Sequence, residues 1–108
     1  FTYINDLCQG IMLSMIKKES KNEVFNITYG DGRKIKDLAN IVLDHFPNIK
    51  IKYNKKDNLM PERGTLNISK AKKLLSYNPE FPIERGFENY IKWYKEFFDA
   101  NPKLLEEK

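Results

Sequence analysis

The chain has one cysteine and one histidine in 108 residues. A single thiol forms no internal disulfide, so no covalent framework holds this fold. Cys8 and His45 are also far apart in sequence, which argues against a Cys–His nucleophile pair and against a transition-metal site. There is no apolar run of 18 residues, so no segment reads as a membrane span, and no signal peptide is visible. The five glycines (10, 30, 32, 64 and 86) spell no GxGxxG, GxxGxxG or Walker loop. None of the six tyrosines is followed four residues later by lysine. Charge of one sign is scarce too: 19 Lys and Arg against 15 Asp and Glu leave only +4. That is a solvated surface with a weak preference for anions.

Enough is present for one domain or part of one. An apolar share of 41% can build a core, and 13% aromatic is generous. The opening run Phe1-Thr2-Tyr3-Ile4-Asn5-Asp6 reads as a strand feeding a helix N-capped by Asp6, and Phe1 therefore reads as a cut in a larger protein. Leu7, Cys8, Ile11, Met12, Met15 and Ile16 give that helix a broad apolar face, with Cys8 expected to be a buried thiol. Residues 24–28 read as a buried strand and residues 49–53 as a strand with one wet face. Between them, Ile35, Leu38, Ala39, Val42 and Phe46 mark a second helix that stops before Pro47. Asn67 can cap a short helix through Leu75, and a last helix enters at Pro82 and runs to about Ala100. Residues 101–108 are a polar tail. Strands alternating with helices predict an α/β fold: a small, partly parallel three-stranded sheet with about four helices, and a right-handed crossover over residues 24–53.

Gly30-Asp31-Gly32 follows an expected strand and precedes a helix, the place for a phosphate cradle. The third glycine is missing and Arg33-Lys34 follow, which favours a plain turn. Eight lysines and arginines fall within residues 50–73, opposed by Asp57 and Glu62. A nucleic-acid surface would interleave aromatics with such charges, and only Tyr53 and Tyr77 lie in or near the patch. Arg63 differs from the lysines: its planar fork sits in a loop between Pro61 and Gly64, which suits bidentate phosphate contact. The aromatic stripe of the last helix has helical spacing and reads as core.

Several segments together resemble a known family. They are Phe1 to Asp6, Val24-Phe25-Asn26-Ile27 with Gly30, Ile35-Lys36-Asp37-Leu38-Ala39, Pro61 to Leu75, Tyr77-Asn78-Pro79, and Glu84-Arg85-Gly86-Phe87. In this order and spacing, from Phe1 to about Tyr94, the chain resembles the C-terminal region of the NAD-dependent epimerase/dehydratase family, the extended short-chain dehydrogenases that act on nucleotide sugars. The resemblance implies that residues 1–100 form a substrate-binding lobe of a cytoplasmic enzyme. It also implies an N-terminal Rossmann domain elsewhere that binds NAD or NADP and carries Tyr-x-x-x-Lys. The chain alone is then not catalytic, and it holds no cofactor or metal of its own. The parent chemistry is transient oxidation of a sugar carbon followed by epimerisation or elimination. The implied partners are a nucleotide-diphosphate sugar and the missing Rossmann domain; the broad apolar face of the first helix adds an expected homo-oligomer, and the residues themselves point to neither nucleic acid nor membrane. The implied substrate contacts are Arg63 as a phosphate-facing arginine, Asn26 of the strand-end motif, and Tyr3. An arginine that often precedes the Phe1-Thr2-Tyr3 segment falls outside this chain. Asn67 stands where the family usually has Asp, and Thr28-Tyr29 replaces small residues before Gly30. The competing readings are a small basic α/β module that binds nucleic acid through residues 50–73, and a pure interaction domain that uses the first helix.

Overall fold

The computed structural model describes residues 1–55, 59, 61 and 64–102. Among the described residues, four α-helices carry the fold: α1 (Ile4–Ile16), α2 (Ile35–His45), α3 (Ser69–Leu75) and α4 (Ile83–Ala100), with one 3-10 turn at Lys18–Ser20. α3 packs against α1 and the 3-10 turn, and α2 packs against α4.

The expected sheet is absent: among the described residues there is no strand. The three-stranded α/β fold is therefore corrected to an all-helical one, with four helices as expected. The burial expected of residues 24–28 holds only in part. Phe25 and Ile27 turn inward, while Val24 is 83% exposed. What is missing is a ladder, because a strand exists only where a neighbour takes its N–H and C=O groups. A pair of five-residue segments is too short to hold together without further strands. The opening run also becomes helix from Ile4 instead of a strand.

The main core is small. Ile68, Ala71, Leu75 and Tyr77 are buried, and Leu13, Phe25 and Ile27 pack on them. Ala71 and Leu75, four apart on α3, have no exposed surface. Asn67 Oδ1 accepts from the Ser69 amide (2.8 Å), so Asn67 serves the start of α3 as its sequence suggested. α3 ends at Ser76, in the left-handed region at φ 59°.

Asp6 is not an N-cap. It lies inside α1, 1% exposed, and its carboxylate accepts from the Glu80 amide (2.8 Å) and the Phe81 amide (3.0 Å). This satisfies two donors of the connector before α4 and ties it to α1. Cys8 is exposed, contrary to expectation. The buried side of α1 is the one carrying Asp6, Gly10 and Leu13, and at 100° per residue Cys8 falls opposite it.

Candidate functional site

The ends of the elements meet around Tyr3. Tyr3 stacks on Phe81, with ring centroids 4.6 Å apart, and the Arg85 guanidinium lies 4.5 Å from the Phe81 centroid. Phe81 is held where it is because Asp6 accepts from its backbone N–H. Gly86, on the first turn of α4, allows the approach: a Cβ there would stand 3.1 Å from Tyr3 Cδ2. Phe87 and Tyr90 continue the aromatic surface, their centroids 5.6 Å apart. These rings, with Phe1, Tyr29, Pro82, Ile83, Asp31 and Arg33, line a half-open cavity of about 280 Å³. A second cavity of about 170 Å³ adjoins it, lined by Thr2, Thr28, Gly30, Gly32, Gly64, Thr65 and Leu66. The two share Phe1, Thr2 and Asp31.

Two lining residues, Asp31 and Arg33, belong to an ion-pair cluster that extends behind the cavity to Asp37 and Glu84. Arg33 donates from Nε to Asp37 (3.3 Å) and from Nη2 to Glu84, and Asp31 lies 3.7 Å from Nη1. Asp37 also accepts from the Lys34 amide at 3.0 Å, closing the first turn of α2. That amide, then the Arg33 side chain, holds the Asp37 carboxyl below the usual carboxylate range. The backbone N–H of Glu84 itself, followed by Arg33, lowers the Glu84 carboxyl. Arg33 is raised, chiefly by its hydrogen bond to Glu84.

The residues singled out from sequence fare differently. Tyr3 lines the aromatic cavity. Asn26 lines neither cavity: its Nδ2 donates to the Asn67 carbonyl (3.0 Å), pinning residues 24–28 to the start of α3. Arg63 lies outside the described residues, although Gly64, its neighbour in sequence, lines the second cavity. Sequence reasoning gave Arg33, Glu84 and Phe81 no place in the site and read Asp6 only as an N-cap. The Arg33–Asp37 spacing of four was a legible signal. Arg33–Glu84 and Asp6–Phe81 bridge 51 and 75 positions, and no local pattern marks them.

The glycines of the Gly30-Asp31-Gly32 turn are used for packing. Gly30 has φ +84°, and a Cβ there would stand 2.7 Å from Ile68 Cδ1; at Gly32 one would stand 2.1 Å from Thr65 Oγ1. The Gly30 amide donates to Thr28 Oγ1. Ile68 and Thr65 thus stand against the two glycines, and the turn's other side borders the second cavity. Among the described residues no three His, Cys, Asp or Glu side chains group as metal ligands, and no helix is long and apolar enough to cross a membrane.

Comparison with known proteins bears on what this cleft belongs to. A UDP-glucuronate 4-epimerase of Thermodesulfobacterium geofontis is 32% identical over 101 residues, covering 89% of this chain and 30% of that protein. UDP-glucuronate 4-epimerase 4 of Arabidopsis thaliana is 25% identical over 120 residues, covering 95% of this chain and 27% of that protein. The chain is a distant relative of UDP-glucuronate 4-epimerases. An uncharacterised protein of Methanocaldococcus jannaschii is 36% identical over 101 residues, covering 89% of this chain and 29% of that protein. The chain spans less than a third of the length of the curated relatives it matches. No family model and no solved structure matches it.

Proposed function

We propose that this chain is a substrate-binding part of a nucleotide-sugar epimerase, binding a nucleotide-diphosphate sugar without turning it over by itself. The observation that carries this reading is the relationship to UDP-glucuronate 4-epimerases, which extends over 89–97% of the chain. The cleft is consistent with it: an aromatic cavity suited to a ring adjoins a small cavity edged by threonine hydroxyls and glycine backbone. Tyr3 belongs to the ring-binding wall. Arg63, next to Gly64, supplies a bidentate fork to the diphosphate. Asn26 acts at one remove, through the Asn67 carbonyl it holds. NAD or NADP belongs to another part of the parent protein, as does the Tyr-x-x-x-Lys pair. The dehydratase and reductase chemistries of the wider family have no support in the comparisons, so epimerisation is the reading favoured here.

The test is an amide NMR titration of the chain with UDP-glucose. Saturable shifts at Thr28, Gly32, Gly64 and Thr65 are expected, with no product formed and no NAD binding at low micromolar concentration. Arg63→Lys should weaken UDP-glucose binding by about 1.5–3 kcal/mol, the scale of a charged hydrogen bond. If UDP-glucose moves none of these amides, the reading fails.

A further inference from the structure

The helices pack as two pairs that alternate along the chain, α1 with α3 and α2 with α4. Each pair is held from within. Ala71 and Leu75 of α3 are buried with Leu13 of α1 packed on their cluster. Lys95 of α4 lies 4.9 Å from the Phe46 ring at the end of α2, and Arg33, just before α2, reaches Glu84 of α4. The aromatic cavity lies between the pairs, with Phe1 to Ile4 on one side and Ile83, Gly86 and Phe87 on the other. Residues 78–82 cross from one pair to the other. This segment contains Pro79 and Pro82, whose rings fix φ and which carry no N–H. Three N–H groups are left, and side chains of α1 take all three. Gln9 Oε1 accepts from Asn78 (2.9 Å), and the two Asp6 oxygens accept from Glu80 (2.8 Å) and Phe81 (3.0 Å). A stiff segment pinned at every donor is a strut, and it delivers the chain directly into α4.

We infer that Asp6, assisted by Gln9, is a positioning residue that sets the angle between the two helix pairs and so the width of the cavity between them. Across the gap Tyr3 stacks on Phe81 and stands against Gly86. Both ties act at the N-terminal end of α4. That helix has 18 residues, a length of about 27 Å, so a small shift at the strut becomes a large one at the far end. Asp6 is suited to the task because an ionised carboxylate accepts at both oxygens. Asparagine in its place offers one acceptor and turns an NH2 group toward the other amide, so one tie is lost. The role concerns the chain alone and is read without ligand, so it stands or falls apart from the nucleotide-sugar reading.

The chain supplies its own probes. Its one cysteine, Cys8, is exposed on α1, and its one tryptophan, Trp93, is half-exposed on α4. Time-resolved energy transfer from Trp93 to an acceptor on Cys8 reads the distribution of distances between the two pairs. Met12→Lys/Met15→Lys, on the exposed side of α1, serves as the background that keeps chains apart. In it, Asp6→Asn should widen the distribution about twofold with helix content unchanged, and Gln9→Ala, which frees Asn78 alone, should widen it less. Loss of a merely structural contact would lower the urea midpoint and leave the width of the folded state as it was. In the unaltered chain the Glu80 and Phe81 amides should exchange with solvent at least about tenfold more slowly than the amide of exposed Leu66, each taken against its intrinsic rate. Should Asp6→Asn lose its helices, Gln9→Ala and the exchange rates decide. An unchanged width in the folded variants, or Glu80 and Phe81 amides that exchange as fast as that of Leu66, overturns the inference.

Discussion

At the residue scale, buried polar groups fix the geometry. Asp6 is the clearest case, a buried carboxylate whose oxygens both accept, from the Glu80 and Phe81 amides. Tyr77 is the opposite case. Its ring is 1% exposed within the core, and its hydroxyl has no partner among the described residues. Burial, followed by the charge of Asp6, pushes its pKa up to about 12 from the usual 10.0. The sign follows from linkage: the unfolded chain loses this proton near pH 10 and the folded chain only near 12, so stability is full below pH 10 and falls between 10 and 12. Two units correspond to a loss on the order of 2–3 kcal/mol. Tyr77→Phe should remove that part of the alkaline loss and leave stability at pH 7 unchanged or up by about 1 kcal/mol, since no hydrogen bond is given up. Urea unfolding at pH 7, 10 and 11.5 would check both, and parallel losses in the two proteins would contradict the assignment.

At the element scale, the decisive contact is between α1 and residues 24–28. Gly10 lets them touch: a Cβ there would stand 2.3 Å from Ile27 Cγ2, a methyl on a β-branched carbon that cannot swing aside. Gly10→Ala gains helix propensity of roughly 0.5–1 kcal/mol and meets an overpacking cost of about 1–3 kcal/mol, so a net loss is expected. Adding Ile27→Ala should recover the overpacking part, and the double-mutant cycle would measure it. A strictly additive cycle would mean that the two elements do not meet. α4 shows what its spacing did and did not foretell. The helix runs from Ile83 to Ala100, close to the expected range. Its stripe, expected to be core, is partly on the surface: Ile91 is 4% exposed, but Tyr90 is 48% and Phe97 37% exposed. Helical period reports which residues share a face, and the neighbour decides whether the face is covered.

At the scale of the whole molecule, the chain is open. Its radius of gyration is 17.7 Å, against about 13 Å for a compact chain of near this length. The solvent side of α1 carries no charged residue. Ile4, Ile11, Met12, Met15 and Ile16 are 49–80% exposed along it. A helix apolar over so wide an arc is normally covered. The isolated chain should therefore self-associate through α1. Met12→Lys/Met15→Lys should yield a monomer with the same helix content, as judged by sedimentation velocity and circular dichroism. A monomer in the unaltered chain at high concentration, with no hydrophobic-dye binding, would argue against this.

The sequence by itself determined the helices, the role of Asn67 at α3, and the relationship to nucleotide-sugar epimerases. These depend on local period, capping and the order of short motifs, all written within a few residues of each other. Arg63 and the residues after 102 lie outside the described structure, so the phosphate assignment rests where the sequence left it. Tertiary structure alone decided that residues 24–28 and 49–53 do not pair, that Asp6 is a buried clamp and Cys8 exposed, and that Arg33 closes on Glu84 beside Tyr3. The reason is common to all four. A ladder, a buried carboxylate's partners and a cavity wall each require groups from distant parts of the chain, and the free energy that selects them exists only after those parts have met.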